Sequence, residues 1–161
     1  MTMTTREQID NFLAQTRLAL VGVSHDPKDF SREMFRELTR RGYDMVPVNP
    51  NLTEVEGRRC FARVQDVTPP VGGALVMTAA ARSEQVVRDC AEAGIKRVWL
   101  HRGAGTGSVS QAAVDFCWQQ GLSVVEGYCP YMFLPEASAF HRVHGFFLKM
   151  TGRYPAAAAH H

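Results

Sequence analysis

Several things this chain lacks bound what it can be. Its 161 residues contain no apolar stretch approaching the ~20 that a membrane-crossing helix needs. Basic and acidic residues nearly cancel, 18 against 16 for a net charge of +2, so the positive excess of a nucleic-acid binder is missing. The four cysteines, at 60, 90, 117 and 129, form no C-x-x-C pair and read as scattered cytosolic thiols rather than a disulfide framework. The polar, acid-containing N-terminus has the character of neither a secretory signal nor a transit peptide. No internal repeat, linker or low-complexity stretch divides the chain. A cytoplasmic protein acting on neither membrane nor nucleic acid is expected.

What is present is ordinary: 45% hydrophobic and 21% charged residues, enough to exclude disorder and fibrous classes. A domain of this length buries roughly 70% of its unfolded surface. Residues 1–155 read as one domain, and 156–161 as a tail or tag remnant. Arginines cluster at 36, 40 and 41 and again at 58, 59 and 63. Taken singly they read as solvated faces; taken together they leave room for a small polyanionic ligand.

Apolar periodicity supplies the elements. A helix over residues 5–15 carries Ile9, Phe12 and Leu13 on one face. The run at 18–23 is apolar on both faces, as buried strands of a parallel sheet are. Ser31 is expected to cap a second helix that turns Met34, Phe35 and Leu38 inward and stops at Gly42. Strands follow at 44–48, 73–77, 97–101 and 122–126, with helices at 82–93, 109–120 and 135–150. Arg82 and Ser83 read as a capping turn, and Ser108 as the cap of the helix after the glycine-rich loop. Three helices stop at glycine just before a strand, a βαβ rhythm that needs right-handed crossovers. The fold class is therefore α/β, a Rossmann-like doubly wound sheet of about five parallel strands with helices on both faces.

In such sheets a ligand sits at the carboxyl ends of the strands, beside the first one. The usual nucleotide motifs are missing there. A dinucleotide fingerprint would need glycines at 24 and 27 after Gly22, where the chain has Ser24 and Pro27. The second strand ends in Asn49 rather than an acid for ribose hydroxyls. Thr78 stands where a receiver domain would carry a phosphorylatable Asp, and no Gly-Lys-Ser/Thr triplet occurs. The longer, polar first loop suits phosphates held by Ser24, Lys28 and backbone amides.

Leu20-Val21-Gly22-Val23-Ser24, Pro27, Gly42-Tyr43-Asp44-Met45-Val46-Pro47-Val48-Asn49-Pro50 and Gly57 resemble the coenzyme A-binding domain family. That family is similar to the N-terminal domain of the succinyl-CoA synthetase α subunit. Val98-Trp99-Leu100-His101 and Gly127-Tyr128-Cys129-Pro130-Tyr131-Met132-Phe133 agree with it, so the resemblance covers about residues 15–135. It implies that Gly22, Val23 and Ser24 line a phosphate loop, with Lys28 and Arg32 as the nearest cations. It implies further that Val48, Asn49 and Pro50 border the adenosine, and that Thr78, Ala79 and Ala80 flank the pantetheine or ribose. No counterpart of the synthetase's phosphohistidine domain is expected within these 161 residues.

Other chemistry is weighed against plainer roles. His141 and His144 would ligate a metal with Cys129 or His101, but they read more simply as a packing seam beside Phe140, Phe146 and Phe147. No metal is expected. Cys129 reads as a buried strand-end thiol rather than a reactive one. Ser24 has no nucleophile elbow around it. The aromatic end (Tyr131, Met132, Phe133, Phe146, Phe147, Met150) either closes the sheet or offers a partner or homodimer surface. The expectation is a module that binds coenzyme A or acyl-CoA as a ligand, without catalytic residues of its own. The alternative is an NAD(P)-dependent oxidoreductase or an acyl-CoA-handling enzyme acting with a partner.

Overall fold

The computed structural model describes residues 4–102 and 105–135. The helix expected at 135–150, with His141 and His144, and the tail at 156–161 lie outside them. In chain order the described elements are α1 (Arg6–Leu13), β1 (Arg17–Val21), α2 (Phe30–Arg40), β2 (Asp44–Val48), β3 (Glu54–Val55), β4 (Arg58–Arg59), β5 (Gly73–Val76), α3 (Ala80–Glu92), β6 (Arg97–Leu100), α4 (Gln111–Gln119) and β7 (Ser123–Glu126). No helix among the described residues is long and apolar enough to cross a membrane.

Five strands form one all-parallel sheet in the order β2-β1-β5-β6-β7. A period of two sorts its side chains between two cores. Ala19, Val21, Val46, Ala74, Val76 and Val98 face α3 and α4, where Val87, Cys90, Ala113 and Cys117 meet them. Leu18, Leu20, Met45, Leu75, Trp99 and Val125 face α1 and α2, against Ile9, Phe12, Met34, Phe35 and Leu38. Burial on both faces is why these strands read as continuous apolar runs.

Local signals set the helix ends. Thr5 and Gln8 close α1 with a reciprocal capping box, the Thr5 amide donating to Gln8 Oε1 at 3.0 Å and the Gln8 amide to Thr5 Oγ1 at 3.2 Å. Helices α2, α3 and α4 all end with glycine at positive φ, at 42, 94 and 121. In each, the next residue's amide reaches back to the helix: Tyr43 to Leu38, Ile95 to Cys90 and Leu122 to Cys117. The caps at the other ends differ from expectation. Asp29, not Ser31, caps α2 by accepting from the Ser31 amide at 2.9 Å. Ser110, not Ser108, caps α4. Helix α3 starts at Ala80, which puts Arg82 and Ser83 inside its first turn.

Three of the carboxylates paired with arginines are held below their usual range. Arg40 and then Arg41, overcoming partial burial, draw the Glu37 carboxyl down to about 2. Arg36 and Arg32 lower Glu56, and at Asp44 the hydrogen bonds from Arg17 and Arg58 outweigh the desolvation that opposes them. Each group is harder to protonate folded than unfolded. Its stabilisation is therefore complete above the unfolded value of about 4 and is lost as pH falls through the folded one. The urea midpoint should drop between about pH 5 and pH 2. Glu37→Gln should flatten part of that drop, and an unchanged profile in this variant would contradict the assignment.

Candidate functional site

Counted in chain order, the five long strands lie 2-1-3-4-5, so the direction of winding reverses between β1 and β5. At such a switch the two loops leaving the strands part, and the gap opens at the carboxyl ends. Here the loops are residues 22–29 and 77–79. Gly22 is where they come closest. Its φ is +95°, and a Cβ there would lie 2.8 Å from both Cγ2 and the amide nitrogen of Thr78. The first loop therefore leaves the sheet pressed against the third long strand, as only glycine allows.

The loop is then tied from below. The Ser24 amide donates to Ser31 Oγ at 2.9 Å, and that hydroxyl donates to Asp29 at 2.6 Å. The Ser24 hydroxyl accepts from the Asp26 amide at 3.1 Å, and Asp26 accepts from the Lys28 amide at 2.9 Å. Arg32 donates to the carbonyls of Ser24 and His25, each at 3.3 Å, and Arg36 to that of Pro27 at 3.1 Å. Both guanidinium groups also donate to one oxygen of Glu56, at 3.0 and 2.6 Å. Among the described residues, the Val23 and His25 amides are left without a protein acceptor.

Asn49 ties the second loop to the first. Its Nδ2 donates to the Val23 carbonyl at 2.7 Å, and its Oδ1 accepts from the Asn51 amide at 2.8 Å. Asn49→Ala should cost about 1–3 kcal/mol, since both partners lose a hydrogen bond. Asn49→Asp should cost at least as much, because a carboxylate cannot donate to Val23. Denaturant titration checks both, and a neutral Asn49→Asp would contradict this role.

On the other side of the gap, α3 opens with no side-chain cap and no acid in its first turn. Ala79, Ala80 and Ala81 leave its N-terminal amides accessible, and Arg82 is exposed beside them. By contrast, the N-terminus of α2 is already taken by Asp29. The Thr78 carbonyl accepts from the Ser108 hydroxyl, and the Ser108 carbonyl from the Ser83 hydroxyl at 2.6 Å. Ser83 and Ser108 thus staple the β5 and β6 loops together. The Thr78 Oγ1 atom itself is buried without a hydrogen-bond partner among the described residues.

The expected site residues separate into two groups. Gly22, Val23, Thr78, Ala79 and Ala80 meet at the switch, with Lys28 exposed at the rim of the first loop. Ser24, Arg32 and Asn49 spend their side chains holding the loops, while Val48 is buried and Pro50 exposed at the end of β2. Sequence reasoning missed Glu56, and it grouped Arg36 with Arg40 and Arg41 rather than with Arg32. A carboxylate on a hairpin tip gives no sign of reaching α2, although the Glu56-Gly57 turn with φ of 49° and 76° hinted at a special backbone.

At the far end of the crevice Phe30 lies 5.7 Å from the His101 ring and 6.0 Å from that of Tyr131. Tyr131 is buried, and Phe133 packs on Trp99 and Tyr128 at 6.1 and 5.9 Å. Phe146, Phe147 and Met150 lie outside the described residues. Burial pushes the Cys129 thiol up to about 12, so it is held as the thiol and is a poor nucleophile at neutral pH. Among the described residues no cluster of three or more His, Cys, Asp or Glu is placed to hold a metal.

Comparison with known proteins follows this geometry. Residues 16–135 match the model of a family described as the CoA binding domain. The chain is 30% identical over 129 residues to the α subunit of an ADP-forming acetate–CoA ligase II from Pyrococcus furiosus. That match covers 75% of this chain and 28% of the ligase subunit, so the chain spans under a third of that relative. A solved structure of a hypothetical protein from Pyrococcus horikoshii superposes with a TM-score of 0.72 at 25% identity, covering 80% of this chain and 87% of that one. A dinucleotide-forming acetyl-coenzyme A synthetase from Candidatus Korarchaeum cryptofilum, solved with phosphate and ADP, superposes with a TM-score of 0.61 at 25% identity, over 70% of this chain and 25% of that one.

Proposed function

The chain belongs to the CoA binding domain family, and from that premise we propose that it holds coenzyme A, or an acyl-CoA, in the crevice between the β1 and β5 loops. One observation carries this reading. Gly22 packs onto Thr78, which sets the first loop, with its Val23 and His25 amides unused among the described residues, beside the loop that leads into the uncapped start of α3. Oriented amides and a helix N-terminus form a fixed positive lining for phosphate groups. Lys28 and Arg82, both exposed and in no ion pair among the described residues, add mobile cations at its rim. Ser24, Arg32 and Asn49 then act by shaping the loop rather than by touching the phosphates with their side chains. Val48 and Pro50 would border the adenosine, and Thr78, Ala79 and Ala80 the pantetheine arm, where small side chains allow close approach.

The chain is proposed to bind and present the coenzyme without reacting with it. A raised thiol at Cys129 and a Ser24 hydroxyl engaged with its own loop support that division of labour. The location is proposed to be the cytoplasm, where coenzyme A is available and free thiols such as the four here stay reduced.

Thermal unfolding with added ligand tests the proposal. At a hundredfold excess over Kd, coenzyme A should add about 2.7 kcal/mol, or a Tm rise of roughly 5–10 °C. Dephospho-coenzyme A should act more weakly and NAD not at all. No rise at millimolar coenzyme A, or a larger one with NAD, would overturn the reading.

A further inference from the structure

A second cationic feature lies at the outer edge of the sheet, away from the switch crevice. It is a cleft of about 240 Å³ along β2, lined by Arg17, Arg58 and Arg59 together with Met45, Pro47 and Phe61. Arg17 and Asp44 are the first residues of β1 and β2, so the cleft reaches the amino ends of the strands. The crevice described above opens at their carboxyl ends.

We propose that this cleft is a separate site for a phosphate group. The charges argue for it first. Asp44 is the carboxylate there, and it is shared between Arg17, at 2.7 Å, and Arg58. Arg59 forms no ion pair among the described residues, although Glu54 stands opposite it in the β3–β4 hairpin. Three guanidinium groups against Asp44 in the cleft and Glu54 opposite Arg59 leave a net positive charge, which suits a phosphate anion.

Preorganisation argues for it next. Arg17 is fixed by the carbonyls of Pro69 and Thr68, at 3.1 and 3.4 Å, and by Asp44, so each of its nitrogens is engaged and it contributes mainly charge to the cleft. Arg59, which lines the cleft, lies over the Phe61 ring, 4.5 Å from its centroid, a contact that holds the guanidinium without consuming its donors. Guanidinium groups held in this way bind oxyanions through paired hydrogen bonds, where an ammonium would act as a point charge. Pro47 and Phe61 add a little apolar surface beside the guanidinium groups.

The site does not rest on the coenzyme A reading. Amide NMR at low ionic strength tests it, with inorganic phosphate and phenyl phosphate as probes. Saturable shifts are expected at Val46, Phe61 and Thr68, while the Val23 and His25 amides stay in place. Phenyl phosphate binding more tightly than inorganic phosphate would assign a carried group, and equal binding the free ion. Arg59→Gln, at an exposed position, should weaken either probe by about tenfold with the rest of the spectrum intact, the loss expected for one charged hydrogen-bonding group. Coenzyme A should leave the three cleft amides unmoved. The proposal is overturned if no saturable shift occurs at tens of millimolar phosphate, if Arg59→Gln binds as the parent does, or if the shifts fall only in the crevice. It is equally overturned if coenzyme A moves the cleft amides and dephospho-coenzyme A does not, because the cleft would then belong to the coenzyme's own 3′-phosphate.

Discussion

Gly22→Ala is expected to destabilise the protein by roughly 2–5 kcal/mol and to remove coenzyme A binding. Two costs combine. The backbone at φ +95° is one that side chains rarely adopt, and the new methyl would sit 2.8 Å from the Thr78 amide nitrogen, which cannot swing away as a flexible side chain would. Relief comes only by parting the first loop from β5, the step that would disturb the gap where coenzyme A is proposed to bind. Gly94→Ala provides the control. Its φ is +80°, yet an added Cβ would meet nothing within 4 Å. That variant should therefore show conformational strain alone, about 1–2 kcal/mol, with binding retained. Urea unfolding and calorimetric titration of both variants separate the two costs. Equal losses of stability in both, or full binding by Gly22→Ala, would contradict the close-approach argument.

Trp99→Ala should have the largest effect on stability, about 3–5 kcal/mol, as expected for truncating a fully buried large aromatic. Trp99 is 0% exposed and meets Phe12 edge-on at 5.3 Å. Its indole nitrogen also donates to the carbonyls of Gly127 and Tyr128, at 3.1 and 3.2 Å. Those residues form the loop after β7, where Tyr128 has a positive φ of 63°. Trp99→Phe keeps most of the apolar body and removes the donor, so its smaller cost, about 1–3 kcal/mol, reports the loop tether. If Trp99→Phe were as damaging as Trp99→Ala, packing would not be the main contribution. If it were neutral, the tether would have no energetic role.

Much of the architecture is legible in the chain because a parallel sheet covered on both faces writes itself as short apolar runs. Leu18 to Val21, Ala74 to Val76 and Val98 to Leu100 are buried without a break, and glycine marks the end of three intervening helices. The short β3–β4 hairpin has no such signature. Each of its strands has two residues, three of the four are charged, and no alternation can develop over that length.

Helix starts are similarly underdetermined where capping residues crowd together. Asp26, Asp29 and Ser31 all lie in or beside the first loop, and only the fold decides that Asp29 caps while Ser31 relays between Asp29 and the Ser24 amide. In the candidate site, the partners of polar side chains are the part the sequence leaves open. Asn49 and Arg32 are expected to face a ligand, and in the structure their donors point back into the loops. Sequence spacing locates a side chain along an element, but the partners of its polar atoms depend on contacts between distant segments. The link from Glu56 to Arg32 and Arg36 is of that kind.

The central claim concerns where coenzyme A binds, and amide NMR of the full chain titrated with it is the most direct measurement. Saturable shifts are predicted at Val23, His25, Thr78, Ala80 and Ala81, on the two sides of the β1–β5 switch. The absence of shifts there at millimolar coenzyme A, or shifts confined to another face of the sheet, would contradict the account.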